Sequence, residues 1–430
     1  MVVHRRGPHR RRRQQPHQRP QQRHPGTRSP PAAAAPRTTT HQPRPPTARH
    51  PARHRGRRHH FRRPRRGRRR TGHGPRPSTG RLNPSTPRAL TRTPIHRGPV
   101  TTPDTPLTAN EAAIAADEVD RLATSIEAVV LGKPDIVRLA LTALFSEGHI
   151  LLEDVPGVGK TTLARGIAAV LAGQWRRIQF TPDLLPADVT GVTIFNQATG
   201  DFAFHPGPVF ANVVIADEVN RASPKTQAAL LEVMEERHVT IDGTRHPVPR
   251  PFLVVATQNP VEMDGTYRLP EAQLDRFLMR LSLGYPDAPA ELALMRGGAA
   301  RSPDTIEPRT DTRGVALMGE LAGRVHVHDH IYEYVLKLAR HTREHPDLRL
   351  GVSPRATAAL VRTARTLALA DGRPFVAPED VKALAGPVWA HRLLVTPDAA
   401  LRDLTGTTLI EQILDQTPAP RPGETYTAPA

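Results

Sequence analysis

The sequence contains no cysteine, which excludes disulfides, thiolate zinc sites and cysteine nucleophiles. No apolar run approaches the roughly 18–20 residues that a membrane span needs. The N-terminus carries arginines but no apolar segment behind them, which argues against a secretory signal. A soluble, cytoplasmic protein is expected. Acidic residues are missing altogether before Asp104, and aromatics, 4% of the whole chain, are represented in residues 1–100 by Phe61 alone.

What is present is unevenly distributed. The chain of 430 residues has 60 Lys+Arg against 41 Asp+Glu, a formal net charge of +19. Residues 1–100 hold 28 of the arginines, no lysine, 18 of the 46 prolines and 11 of the 21 histidines. The remaining 32 bases face 41 acids, so an acidic body (net −9) follows a very basic tail. Self-repelling arginines with so little apolar surface cannot offset the entropy of ordering, so residues 1–108 are expected to be disordered. Such an arm could hold nucleic acid through salt-sensitive phosphate contacts, although it lacks the interleaved aromatics of specific binders. It could equally be a dispensable extension, or reflect a translation start that truly lies at Val100. From about Thr108 the composition turns to Ala, Leu, Glu and Val, and the spacing predicts two helices between Glu111 and Phe145 that part near Gly132-Lys133-Pro134. The Pro-rich end, 417–430, is expected to fray.

The most informative segment is HILLEDVPGVGKTTLA, 149–164. A short buried strand, Ile150–Leu152, turns through Pro156, Gly157, Val158 and Gly159 into a helix opened by Lys160, Thr161 and Thr162. Such a turn aims backbone N–H groups at one point with the helix dipole behind them, a cradle for phosphate. Lys160 can reach β- and γ-phosphates, and the Thr161 hydroxyl can ligate Mg²⁺. The strict P-loop pattern has glycine where this chain has Asp154. A second apolar strand, Val213–Ala216, ends in Asp217 and Glu218, where open α/β sheets place ligands. Asp217 can hold Mg²⁺, and Glu218 can polarise a water. A third strand, Phe252–Ala256, leads to Asn259; its amide could orient that water, or it could simply form an Asx-turn before Pro260.

These segments, with VVIADEVNRASPKTQAALLEVMEERHVT, VVATQNPVEMDGTYRLPEAQLDRFLMRL and LGVSPRATAAL, resemble the MoxR family of AAA+ ATPases, in the family's order, over roughly 109–414. The resemblance implies an α/β fold: an AAA+ P-loop αβα core with a parallel sheet (109–300), followed by a small all-α lid (301–416). Asp154 is typical of the family. The resemblance assigns Lys160 and Thr161 to Walker A and Asp217 and Glu218 to Walker B. It assigns Asn259 to sensor 1, on a strand between the Walker strands, and Arg276 to the arginine finger, with Arg280 as the alternative. Arg355 becomes the sensor 2 arginine of the lid, contacting the γ-phosphate, and Val130, Leu131 and Gly132 lie where adenine packs. ATP and Mg²⁺ are the implied cofactors. A homo-hexamer acting on proteins with von Willebrand factor A domains is the implied assembly, its task remodelling, maturation or metal/cofactor insertion. A magnesium-chelatase-like or helicase-like motor, or a nucleic-acid-binding protein acting through the arginine-rich tail, are the alternatives.

Two insertions read as hairpins: 184–210, with Val192/Ile194 and Phe202/Phe204 around Ala198–Asp201, and 239–244, where Asp242-Gly243 favours a tight turn. In related clades such hairpins face the pore or the partner; alternatively they cap the core. The lid pattern predicts helices at 331–342, 354–370 and 378–394. His326, His328 and His330 recur at period two, which would suit a metal only if that segment were a strand.

Overall fold

Five strands align in parallel to form the central sheet: β1 Ile150–Glu153, β2 Trp175–Gln179, β3 Val213–Asp217, β4 Leu253–Gln258 and β5 Met279–Leu281, in the order β2-β3-β4-β1-β5. The computed structural model describes residues 105–198, 200–259, 267, 269–296 and 302–420. Of the segments expected to be disordered or frayed (1–108 and 417–430), residues 1–104, with the proposed start at Val100, and 421–430 lie outside them; 105–108 and 417–420 are placed, with Leu107 buried, Thr108 capping the first helix and Thr417 buried 2.8 Å from His341 Nδ1. The inner strands β1, β3 and β4 are near-continuous apolar runs because both faces of a parallel sheet are covered. β4 stands between β1 and β3.

One face of the sheet is covered by α1 (Ala109–Glu127), α2 (Pro134–Phe145) and α3 (Lys160–Val170). Thr108 caps α1 reciprocally: its hydroxyl accepts the Glu111 N–H at 3.2 Å, and Glu111 accepts the Thr108 N–H at 2.9 Å. The other face is covered by α4 (Pro224–Glu236) and a separate apolar cluster around Phe180, Leu230, Leu231 and Phe277. Ser223 caps α4, and Pro224 fills its first position, where no N–H is needed. α5 (Ala288–Met295) follows, with Ala290 buried and Leu292, Leu294 and Met295 exposed.

Both hairpins form as the alternation predicts. Gly191–Asn196 pairs with Asp201–Pro206, and His238–Ile241 with Thr244–Pro247. Asp242 (φ 50°) and Gly243 (φ 78°) adopt the left-handed conformations of a tight two-residue turn. Phe204 of the first hairpin stacks on His246 of the second, centroids 4.1 Å apart. The outer end of the first is apolar and exposed: Phe195 and Phe202 lie 5.0 Å apart between ring centroids, and Phe202 is 74% exposed.

The lid comprises α6 (Thr312–Arg324), α7 (Asp329–Glu344), α8 (Pro354–Ala370), α9 (Pro378–Trp389) and α10 (Gly406–Gln416). It also contains one small antiparallel pairing, Leu348–Leu350 with Leu394–Val395. α9 therefore stops five residues earlier than its periodicity suggests, because 390–392 tighten into a 3₁₀ turn and 394–395 extend to pair. The histidine run is not a strand: His328 caps α7, accepting the His330 N–H at 3.3 Å, and His330 lies inside the helix. Among the described residues no cluster of three or more His, Asp or Glu is arranged to hold a metal. The lid shares one continuous apolar cluster with α1, α2 and the sheet. Arg138 of α2 binds Asp371 at 2.6 Å, and Ser146 donates to Thr366 at 2.9 Å across the seam.

Candidate active site

At the C-terminal edge of the sheet, the turn from β1 to α3 passes through Gly157 (φ 85°) and Gly159 (φ 97°), conformations that side chains rarely adopt. Gly159 is the N-cap of α3, so the amides of the first turn face the loop with no side chain between. Lys160 bridges back to the Asp154 carbonyl and lies 3.3 Å from Val155 O and 3.4 Å from Gln258 O, tying the loop to the end of β4. The departure from the strict motif has a structural purpose. The Asp154 carboxylate accepts the Gly284 N–H at 2.6 Å, the Ser282 hydroxyl at 2.9 Å and the Val155 N–H at 2.9 Å. Burial raises this carboxyl, but those donors outweigh it and hold it below the usual carboxylate range. Glycine there would leave the loop unstapled.

The same 282–287 segment meets Gly132 and Lys133, which follow Val130 and Leu131. Gly132 (φ 71°) lies so close to Asp287 and Ala290 that a Cβ would approach their side chains at 3.2–3.3 Å. Lys133 donates to the Tyr285 carbonyl at 2.8 Å, and Val130 is buried. The turn between α1 and α2 and the cradle are thus fastened to one loop.

β3 ends beside the cradle. The Thr161 hydroxyl is 3.4 Å from both oxygens of Asp217, which is itself buried and accepts the Thr257 hydroxyl at 2.9 Å. A hydroxyl beside a carboxylate offers the hard oxygens that Mg²⁺ takes from a protein, leaving other positions for phosphate and water. Glu218 sits in the left-handed region (φ 55°), its N–H held by Thr257 Oγ1 at 2.9 Å. That conformation turns its carboxylate away from the strand axis, where it accepts Gln179 Nε2 at 2.8 Å and pairs with Arg221 at 2.9 Å. Asn259 directly follows β4 and is buried between the two carboxylate-bearing turns. Thr257, Arg177, Gln179 and Arg221 escaped sequence reading; the only local hint was polar residues at alternate positions of β2.

The two expected arginines lie elsewhere. Arg276 and Arg355 both bind Glu235, at 2.9 and 2.8 Å. Glu235 follows Met234, whose carbonyl meets the ring of His149 at 3.1 Å, and His149 precedes β1. This carboxylate therefore marks the N-terminal edge of the sheet, whereas the cradle follows the other end of β1, a strand roughly 13 Å long. Arg392 joins the group, pairing with Asp275 at 2.8 Å; burial lowers it to about 10, opposed by that carboxylate. Arg280 is different: it lies in β5 and binds Glu153 of its own chain at 3.0 Å.

A phosphate cradle, paired carboxylates two strands away and a polar amide on the strand between them define a P-loop ATPase of the AAA+ class. The profile described as "ATPase family associated with various cellular activities (AAA)" matches residues 149–279, and that of the AAA lid domain matches 340–413. The chain is 46% identical over 296 residues to the uncharacterized protein YeaC of Bacillus subtilis, covering 69% of this chain and 92% of that protein. It is 38% identical to chaperone MoxR1 of Mycobacterium tuberculosis (78% and 90% covered) and 35% identical to protein MoxR of Paracoccus denitrificans (64% and 87%). The crystal structure of a proposed ATPase from Cytophaga hutchinsonii superposes with a TM-score of 0.67 at 36% identity, covering 73% of this chain and 98% of that one. The chain belongs to the MoxR family of AAA+ ATPases, and its activity is ATP hydrolysis. Among the described residues, no helix is long and apolar enough to cross a membrane.

Proposed function

We propose that Mg·ATP is hydrolysed between subunits of a homo-hexameric ring, and that the cycle remodels or matures a client protein, including by metal or cofactor insertion. In this reading Pro156 to Thr162 hold the phosphates, with adenine beside Val130, Leu131 and Gly132. Thr161 and Asp217 hold Mg²⁺, which neutralises charge on the phosphates. Glu218 activates the attacking water and Asn259 orients it. Arg276 and Arg355 come from the neighbouring subunit.

The observation that carries the reading is the shared Glu235. Two arginines of the kind that neutralise phosphoryl-transfer charge stand together, half-exposed, at the sheet edge away from their own cradle. A head-to-tail contact would bring that edge to the next subunit's cradle, and such contacts close into rings. Arg280, committed to Glu153, is the weaker finger. The exposed aromatic end of the first hairpin supports a client-facing role, and a client bearing a von Willebrand factor A domain is the partner the family resemblance favours. The test is turnover per subunit against protein concentration, with Glu218→Gln and Arg276→Ala assayed alone and mixed. Turnover should rise with concentration, and the two inactive variants should partly restore each other. Turnover independent of concentration, with no restoration on mixing, would remove the shared site.

A further inference from the structure

Strand β2 lies at the edge of the sheet beside β3, with Arg177 opposite Ile215 and Gln179 opposite Asp217. Residues directly opposite in a sheet share a face, so both side chains project on the Asp217 side, and a long side chain reaches its diagonal neighbour. Arg177 Nε donates to Asp217 Oδ2 at 2.7 Å. Its NH2 group donates to Gln179 Oε1 at 3.1 Å, and Gln179 Nε2 donates to Glu218 Oε2 at 2.8 Å. The amide cannot be reversed without setting its NH2 against the guanidinium, so Arg177 fixes which end of Gln179 faces Glu218. One unbroken chain of hydrogen bonds therefore joins the carboxylate suited to a cation with the carboxylate suited to a water.

The two members of the ion pair differ in freedom. The Asp217 side chain is 8% exposed and anchored by Thr257; the Arg177 side chain is 51% exposed and ends a flexible stem. A buried carboxylate is costly without a counter-charge, and a guanidinium and a divalent cation would call on the same oxygens. Resting on the Walker reading above, we infer that Arg177 is an internal counter-ion that competes with the divalent cation for Asp217. Arg177 is thus a positioning residue: it acts on the reaction through Asp217.

The experiment measures the factor by which Mn²⁺ tightens binding of a fluorescent non-hydrolysable ATP analogue to the full chain. Arg177→Met should enlarge that factor about tenfold, the scale of a charge-assisted contact to a buried group, and Gln179→Leu should leave it unchanged. Arg177→Lys, which keeps a charge but loses the planar fork, should fall between wild type and Arg177→Met, and it decides the matter alone if the methionine variant does not fold. A factor equal to or below the wild-type value in the Arg177 variants overturns the competition. If the wild type neither binds the analogue nor responds to Mn²⁺, the Walker reading itself fails, a result distinct from loss of the competition.

Discussion

The two ends of the central sheet are chemically opposed. At the C-terminal edge stand Glu153, Asp154, Asp217 and Glu218, with Asp154 and Asp217 buried and all four engaged by donors from backbone, hydroxyl, amide or guanidinium groups. At the N-terminal edge stand Arg237, Arg276, Arg355 and Arg392, with Arg276 and Arg355 partly exposed and sharing one partly exposed carboxylate. In the proposed ring, the contrast separates two demands of phosphoryl transfer. Groups that hold the reacting phosphate and metal profit from rigid preorganisation. Groups delivered to a neighbour must be able to leave a resting partner, and a partly exposed ion pair, worth at most about 1 kcal/mol, lets them go.

The comparison can be broken most severely at the rigid end. Lys160→Ala should lower hydrolysis on the order of 10³-fold, the scale of losing a principal transition-state donor, with nucleotide binding weakened in parallel. Glu218→Gln should lose roughly 10²–10⁴-fold in turnover but still bind ATP, since general-base assistance enters only at the chemical step; loss of binding as well would return Glu218 to a structural role. At the delivering end, Arg276→Ala should cost on the order of 10³-fold or more, and Arg280→Ala only a few-fold. The reverse ranking would transfer the finger to β5.

Acidity probes the same N-terminal edge. His149 accepts the Val254 N–H on Nδ1 at 3.0 Å and, as its remaining donor, gives Nε2–H to Met234 O, so it is neutral in the folded chain. Burial first, then Arg237, lowers it to about 3. Burial also lowers His391. Since the unfolded imidazole titrates near 6.5, the contribution is complete above pH 6.5 and is lost as pH falls from there toward about 3, by up to about 1.4 kcal/mol per pH unit for each group. Denaturant unfolding at pH 7.5 and 5.0 should show that decline, and a flat profile would contradict buried neutral histidines. Asp154→Ala, which orphans the Gly284 and Ser282 donors, should cost roughly 1–3 kcal/mol in the same assay. Glu235→Gln should change stability by less than about 0.5 kcal/mol, because a partly exposed pair contributes little.

What the sequence disclosed was local. Gly157 to Thr161, the apolar runs of β1, β3 and β4 and the Asp-Gly turn each carry their instruction within a few residues, so the strands, the cradle and both hairpins could be read directly. What it concealed depends on which strand becomes whose neighbour. Arg177 meets Asp217 only because β2 docks beside β3, and Arg355 meets Glu235 across 120 positions of chain. The end of α9 is hidden for a similar reason: His391 and Arg392 are polar in sequence yet buried, because both reach the Phe277 carbonyl, at 3.1 and 2.8 Å.

That seam has a mechanical consequence. α8 and α9 share their apolar cluster with α1, α2 and the sheet, so the lid has no interior separable from the rest. A chain severed between Met295 and Ser302 would expose both halves of one core, and the two pieces should re-associate rather than fold apart. The chain should melt as one cooperative body, and in the proposed ring the movement driven by each turnover would be expressed at the joints where one such body meets the next.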